Sequence, residues 1–207
     1  MNLTFAFSIA MILLAFFCGS LPFSVWVGKL FLGVDVRQFG DGNPGAANVY
    51  KYGNKLTGIL VMMLDISKAA VPVGLAYFNL HMRGATMFLI AIAPILGHAF
   101  SPFLGFKGGK AAATALGVWI GLTIWKASLP GALMAAIAIT LLTSGGWSIM
   151  LALAGILIVL LNWLPEPLLL WVWLGETVIL AWTFRANLRQ RPHFRPWLAR
   201  YFQRTKD

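Results

Sequence analysis

Seven stretches of apolar residues, at 3–31, 56–80, 85–104, 111–125, 128–143, 147–164 and 167–184, follow one another with hardly a charge inside them. Each is at or near the roughly 17–25 residues that a helix needs to cross a bilayer. A chain that buries so much apolar surface in series has few options, because a backbone in hydrocarbon must satisfy its own hydrogen bonds and helices do so within one segment. The pattern predicts an all-α, polytopic membrane protein with seven transmembrane helices, forming one domain over residues 1–207.

Charge supports this reading. Charged residues make up 11% of the chain, against about 25% in ordinary soluble domains. The net charge of +10 would fit nucleic acid in a soluble protein, but here the cations sit at the ends of apolar runs. There they set topology and meet anionic membrane lipid, so no nucleic acid partner is expected. With the N-terminus outside and the C-terminus cytoplasmic, Lys29, Arg37, Lys51, Lys55, Lys107, Lys110 and the basic tail from Arg185 onward share the inner face, and only Arg83 and Lys126 lie outside. The first apolar run lacks a basic leader and a small-residue cleavage site, and reads as a true span. A lone Cys18 offers neither a disulfide nor a thiolate metal site.

Two polar loops on the basic side are where chemistry is expected. The first, Gly40-Asp41-Gly42-Asn43-Pro44-Gly45-Ala46-Ala47-Asn48, combines glycines, which admit close backbone approach, with the amide side chains of Asn43 and Asn48. A glycine-rich turn with no ligand has the same composition, and on chemistry alone the two readings stand level. The second, Phe106-Lys107-Gly108-Gly109-Lys110, sets Gly108 and Gly109 between two lysines ahead of a helix start, a plausible cradle for a phosphate group. A basic turn reaching lipid phosphates would look similar. It is not a nucleotide P-loop, since Leu104 stands where that motif needs glycine and Ala111 where it needs serine or threonine. His98 ends an apolar run and reads as a structural histidine. Asp65 and Lys68, three apart on one helical face, read as a pair that lowers the cost of holding charge in the bilayer.

The order of residues in these loops resembles a known family. Gly19-Ser20-x-Pro22-Phe23, Gly33-x-Asp35-x-Arg37 and Gly40-x-Gly42-Asn43-Pro44-Gly45-Ala46-x-Asn48-Val49 are similar to the first signature of the bacterial acyl-phosphate:glycerol-3-phosphate acyltransferases, PlsY. Gly97-His98-x-Phe100-x-Pro102-Phe103-Leu104-x-Phe106-Lys107-Gly108-Gly109-Lys110-x-x-x-Thr114 resembles the second, and Asp65-x-x-Lys68 an intervening element. The resemblance implies transfer of an acyl group from acyl phosphate to glycerol 3-phosphate at the bacterial cytoplasmic membrane, giving lysophosphatidic acid and phosphate for phospholipid synthesis. It implies no cofactor and no metal. It also implies catalytic roles for Lys110, Ser148 and Asn187, and phosphate or substrate binding by Asn43, Asn48, Lys51, Lys107, Gly108, Gly109, Lys110 and Arg185; Asp41 is a catalytic candidate on its own chemistry, as a base for the attacking hydroxyl. His98, Asp65 and Lys68 would support the site. Ala69, Ala111 and Ala112 depart from the family pattern, and three further substitutions matter more: Asp41 stands for serine, Lys51 for arginine and Phe184 for histidine. They leave a second reading open, a homologue that binds a phosphorylated ligand or lipid without turning it over.

Overall fold

The computed structural model describes residues 3–198, and among them the secondary structure is helical, apart from a single bridge that pairs Leu142 with Phe194. The first apolar run forms two helices, α1 (Leu3–Ser20) and α2 (Phe23–Leu32). Pro22 divides them, because it has no N–H to donate and pushes Leu21 out of the helical region. Gly33, at φ +67°, then closes α2 by donating to the Gly28 carbonyl.

The first polar loop carries its own short helix, α3 (Ala46–Tyr52), where the sequence predicted an irregular connector. It is followed by α4 (Lys55–Gly74), whose start is capped by the Asn54 side chain accepting from Leu56 N at 2.8 Å. Then come α5 (Gly84–Ala99), α6 (Ala112–Thr123), α7 (Ser128–Leu141), α8 (Gly145–Trp163), α9 (Pro167–Thr183) and the four-residue α10 (Arg185–Leu188).

Four apolar segments, Thr4–Leu32, Lys55–Asn79, Gly84–Leu104 and Gly145–Trp163, are long enough to cross a membrane. The runs expected at 111–125, 128–143 and 167–184 form shorter apolar helices. One reason is local: Ile124 takes φ +57° and ends α6, so the chain turns before Lys126.

Small residues bring the helices together. A side chain on Gly19 would run into the backbone of Pro94, and one on Gly97 into the Phe16 carbonyl, so α1 and α5 touch backbone to backbone. Gly117 lies in the same way against the Ile66 carbonyl, joining α6 to α4. In hydrocarbon, where lipid tails are as apolar as leucine, this close packing holds helices together. The interior is filled by Met87, Ile90, Ile95, Trp119, Leu160 and Leu180, while Leu30, Leu56, Val71, Trp171 and Val178 face outward. An outward apolar belt is what a bilayer, rather than water, would solvate. Gly97→Ala is expected to destabilise the fold by about 1–3 kcal/mol through overpacking. Thermal unfolding in detergent measures this, and an unchanged midpoint would mean that α1 and α5 are not in contact there.

Candidate functional site

Four segments meet at one end of the bundle: the loop before α3, the loop between α5 and α6, the α7–α8 turn, and the junction of α9 with α10. The joint is Lys110. Its backbone N–H donates to Asn43 Oδ1 at 3.0 Å, and its carbonyl accepts from Thr183 Oγ1 at 3.0 Å. Its ammonium donates to Asp41 Oδ2 and to Asn187 Oδ1, each at 2.7 Å, and lies 5.2 Å from the centroid of the Phe184 ring. Two of the three ammonium protons are thus spent on protein acceptors.

The first loop is shaped to deliver Asp41. Gly40 and Gly42 adopt φ +62° and +72°, a left-handed region that side-chain-bearing residues avoid. Asp41 Oδ1 accepts from Asn43 N at 3.1 Å and from the Asn48 amide at 3.1 Å, and the same amide also donates to the carbonyls of Phe39 and Asn43. Asn48, on α3, is therefore the pin around which the loop folds. Partial burial alone would raise the Asp41 carboxyl, but the Lys110 ammonium, the Asn43 N–H and the Asn48 amide outweigh it and hold its pKa below the ordinary carboxylate value. The Asp41–Lys110 clasp is accordingly complete above the ordinary carboxylate pKa and opens only as pH falls through the lowered value.

The second loop is clipped to the end of α5. Gly108 N donates to Ala99 O at 3.1 Å and Gly109 N to His98 O at 3.0 Å. Any Cβ on Gly108 would collide with the His98 carbonyl, and one on Gly109 would meet His98 Nε2. These glycines are needed for close approach, not for a positive φ.

Beneath the loops lies a buried polar group. Lys68 Nζ is 2.7 Å from Asp65 Oδ1, 2.8 Å from His98 Nδ1 and 2.9 Å from the Leu21 carbonyl, and Thr114 Oγ1 is 3.1 Å from the same His98 nitrogen. An ammonium can only donate, so His98 Nδ1 accepts and the ring proton sits on Nε2, against Gly109. The pairing of Asp65 with Lys68 expected from their spacing is present, and it extends to His98. A narrow cavity lies where this group meets the loops and is lined by Pro44, Asp65, Lys68, His98, Ser101 and Gly109, among others. Asp65→Ala leaves the Lys68 charge buried without its partner and is expected to cost about 3–5 kcal/mol. Its unfolding midpoint in detergent should fall steeply; a wild-type midpoint would show that the pair is dispensable.

Several sequence candidates stand apart from Lys110. Lys51 is exposed and lies 5.0 Å over the Tyr52 ring, a short step along α3 from Asn48. The Lys107 side chain is also exposed, while its N–H closes a turn onto Leu104 O. Arg185 stacks on Trp182 at 4.5 Å and donates to the Trp182 carbonyl. Ser148 is fully buried within α8, where its hydroxyl donates to Ser144 O at 3.1 Å. It is Ser144, at the turn, whose hydroxyl reaches the Asn187 carbonyl, at 3.3 Å.

Thr183 carries no signal in sequence, since threonine is common in membrane helices, whereas Thr114 closes the stretch that resembles the second signature. Glu176 did carry one, as an acid inside the 167–184 apolar run, and sequence reasoning passed over it. It is 1% exposed on α9, and its Oε2 has no hydrogen-bond partner.

The glycerol-3-phosphate acyltransferase family profile matches residues 9–191. A glycerol-3-phosphate acyltransferase of Pseudoalteromonas translucida is 37% identical over 86% of this chain and 86% of its own length. One from an Anaeromyxobacter species is 45% identical over 59% of this chain, a match that spans 62% of the relative. The crystal structure of PlsY (YgiH), an integral membrane glycerol 3-phosphate acyltransferase, in its glycerol 3-phosphate form, superimposes with a TM-score of 0.82 and 28% identity, covering 94% of this chain and 98% of that one. The chain belongs to the glycerol-3-phosphate acyltransferase family and has the helical architecture of an integral membrane protein.

Proposed function

We propose that this protein transfers an acyl group from acyl phosphate to glycerol 3-phosphate, forming lysophosphatidic acid and inorganic phosphate. The observation that carries the reading is the joint at Lys110, where a fixed ammonium, a carboxylate and two asparagine side chains from separate segments converge at the end of an apolar bundle. The chain is read as crossing the bacterial cytoplasmic membrane seven times, with the N-terminus outside and the joint on the cytoplasmic side with most of the lysines and arginines.

In this reading, the glycerol 3-phosphate phosphoryl group docks against the Lys110 ammonium, with Lys51, Lys107, Arg185 and the amides of Gly108 and Gly109 adding positive potential. Anionic lipid around the basic end would be a further partner. A substrate hydroxyl oxygen attacks the acyl carbonyl carbon, the bond from that carbon to the phosphate oxygen breaks, and phosphate leaves with the electron pair. The hydroxyl proton passes to Asp41. Asp41 is a weak base while clasped to Lys110. Once a phosphoryl group shares that ammonium, the weakened pairing and the arrival of a second anion both raise its proton affinity. An unpaired Asp41 about 4 Å from phosphate would repel it by about 4 kcal/mol at an effective dielectric near 20; sharing Lys110 relieves that cost. Acyl phosphate is already activated, so alignment and charge neutralisation are the main tasks left to the protein. Asn187 would hold the Lys110 ammonium in place, and Ser148 would act only through the α7–α8 turn.

One observation favours a second reading, binding without turnover: the Asp41 carboxylate occupies the ammonium that a substrate phosphate would need. Purified protein given acyl phosphate and glycerol 3-phosphate separates the two, with released phosphate and lysophosphatidic acid as readouts. Formation of both above a Lys110→Ala control is expected; their absence would leave the binding reading.

A further inference from the structure

We propose that residues 185–198 form a strap whose arginines engage anionic lipid headgroups, and that this contact holds Asn187 on Lys110. The strap begins where apolar α9 ends, which places it at a bilayer surface. Arg185, Arg189, Arg191 and Arg195 on it are all exposed, as are Phe194 and Trp197, at 58% and 53%. No aspartate or glutamate occurs between Glu176 and residue 198. A basic stretch with two aromatic rings, unopposed by acid at the rim of a membrane helix, is complementary to an anionic leaflet.

The strap reaches the site through specific bonds. Trp147 Nε1 donates to Gln190 O at 2.9 Å, Thr143 N to His193 O at 3.0 Å, and Arg195 N to Leu141 O at 2.8 Å. These fasten it across the α7–α8 turn, and Ser144 Oγ bonds the Asn187 carbonyl while Asn187 Oδ1 takes the Lys110 ammonium. Yet α10 has no buried residue, and the side-chain bonds from Trp147 and Thr143 to this segment, like that from its own Arg195 to the Ile139 carbonyl, are solvent-exposed. Elements with little burial and exposed hydrogen bonds open easily. A modest lipid interaction that favours the fastened state then shifts its population, and with it the fraction of molecules in which Lys110 is fully held. The effect on turnover rests on the acyl-transfer reading, whereas the ordering of the strap does not.

Hydrogen exchange of the full chain in nanodiscs tests this, comparing pure phosphatidylcholine with an equal mixture of phosphatidylcholine and phosphatidylglycerol. Amides of residues 139–148 and 185–198 are expected to exchange about fivefold or more slowly in the mixed discs, the factor that one arginine contributes at an anionic surface. High salt should remove the difference. The double substitution Arg189→Gln/Arg191→Gln should clearly reduce it, and Arg189→Lys/Arg191→Lys should keep it. Equal exchange in both discs, full slowing in the glutamine variant, or slowing by inorganic phosphate in pure phosphatidylcholine would each overturn the proposal. Slowed exchange in a protein that makes no lysophosphatidic acid would uphold the strap while removing the acyl-transfer reading.

Discussion

Lys110→Ala is expected to lower turnover by about a hundred- to a thousandfold, the loss seen when one preorganised electrostatic donor is removed from an acyl-transfer site. The size follows from how Lys110 is held. Its backbone is fixed at both ends by Asn43 and Thr183, and its ammonium is placed by Asp41, Asn187 and the Phe184 ring. A charge placed in advance costs no reorganisation when substrate charge develops beside it. The substitution also frees Asp41 from its cation, so an incoming phosphate meets an uncompensated carboxylate and KM for glycerol 3-phosphate should rise. Lys110→Arg keeps the charge but not the compact ammonium geometry, and should recover part of the activity. The check is steady-state kinetics on purified protein with an intact unfolding profile. A variant within a few-fold of wild type would remove Lys110 from the mechanism.

Asp41→Asn should separate binding from chemistry. Asparagine can keep the acceptor role toward Asn43 N–H and the Asn48 amide, so the loop is preserved. What disappears is the anion. If Asp41 takes the substrate proton, kcat falls by about 10²–10⁴, the usual contribution of a positioned acid–base group. KM should stay level or fall, because an anion facing the substrate phosphate has gone. The opposite pattern is equally clear: a rise in kcat on Asp41→Asn or Asp41→Ser would mean that the carboxylate blocks Lys110, and another group carries the proton.

Much of this site was legible in the chain because glycine and asparagine are so out of place between apolar runs. Asn43 and Lys110, 67 residues apart in sequence, were both singled out from loop composition and from the family resemblance, and they share a hydrogen bond. Spacing on one helical face was also enough to pair Asp65 with Lys68. Distance in space was harder to read. That Lys51 would turn to Tyr52 depends on the direction in which α3 leaves the loop, and α3 itself was hidden because seven residues carry little periodic signal. The division of the first apolar run at Pro22 was available from the proline alone. The bonds from Thr143, Ser144 and Trp147 to the strap follow from the fold's closure, which no local pattern encodes.

Asp41 and Phe184, read from the family resemblance as departures, have a common neighbour. Both lie against the Lys110 ammonium, one as counter-ion and one as an aromatic face. A cation over a ring is stabilised by the ring's negative face, so Phe184 helps to fix the ammonium even though it cannot transfer a proton. In the proposed mechanism Asp41, the carboxylate paired with that ammonium, is the group that accepts one.

Calorimetric titration of glycerol 3-phosphate into the purified protein and into Lys110→Ala probes the central claim most directly, since it needs no turnover. Saturable binding by the wild type, weakened at least about tenfold in the variant, is the predicted result. Equal affinity of the two proteins would show that the phosphoryl group is gripped elsewhere and would contradict the assignment of this joint as the substrate site.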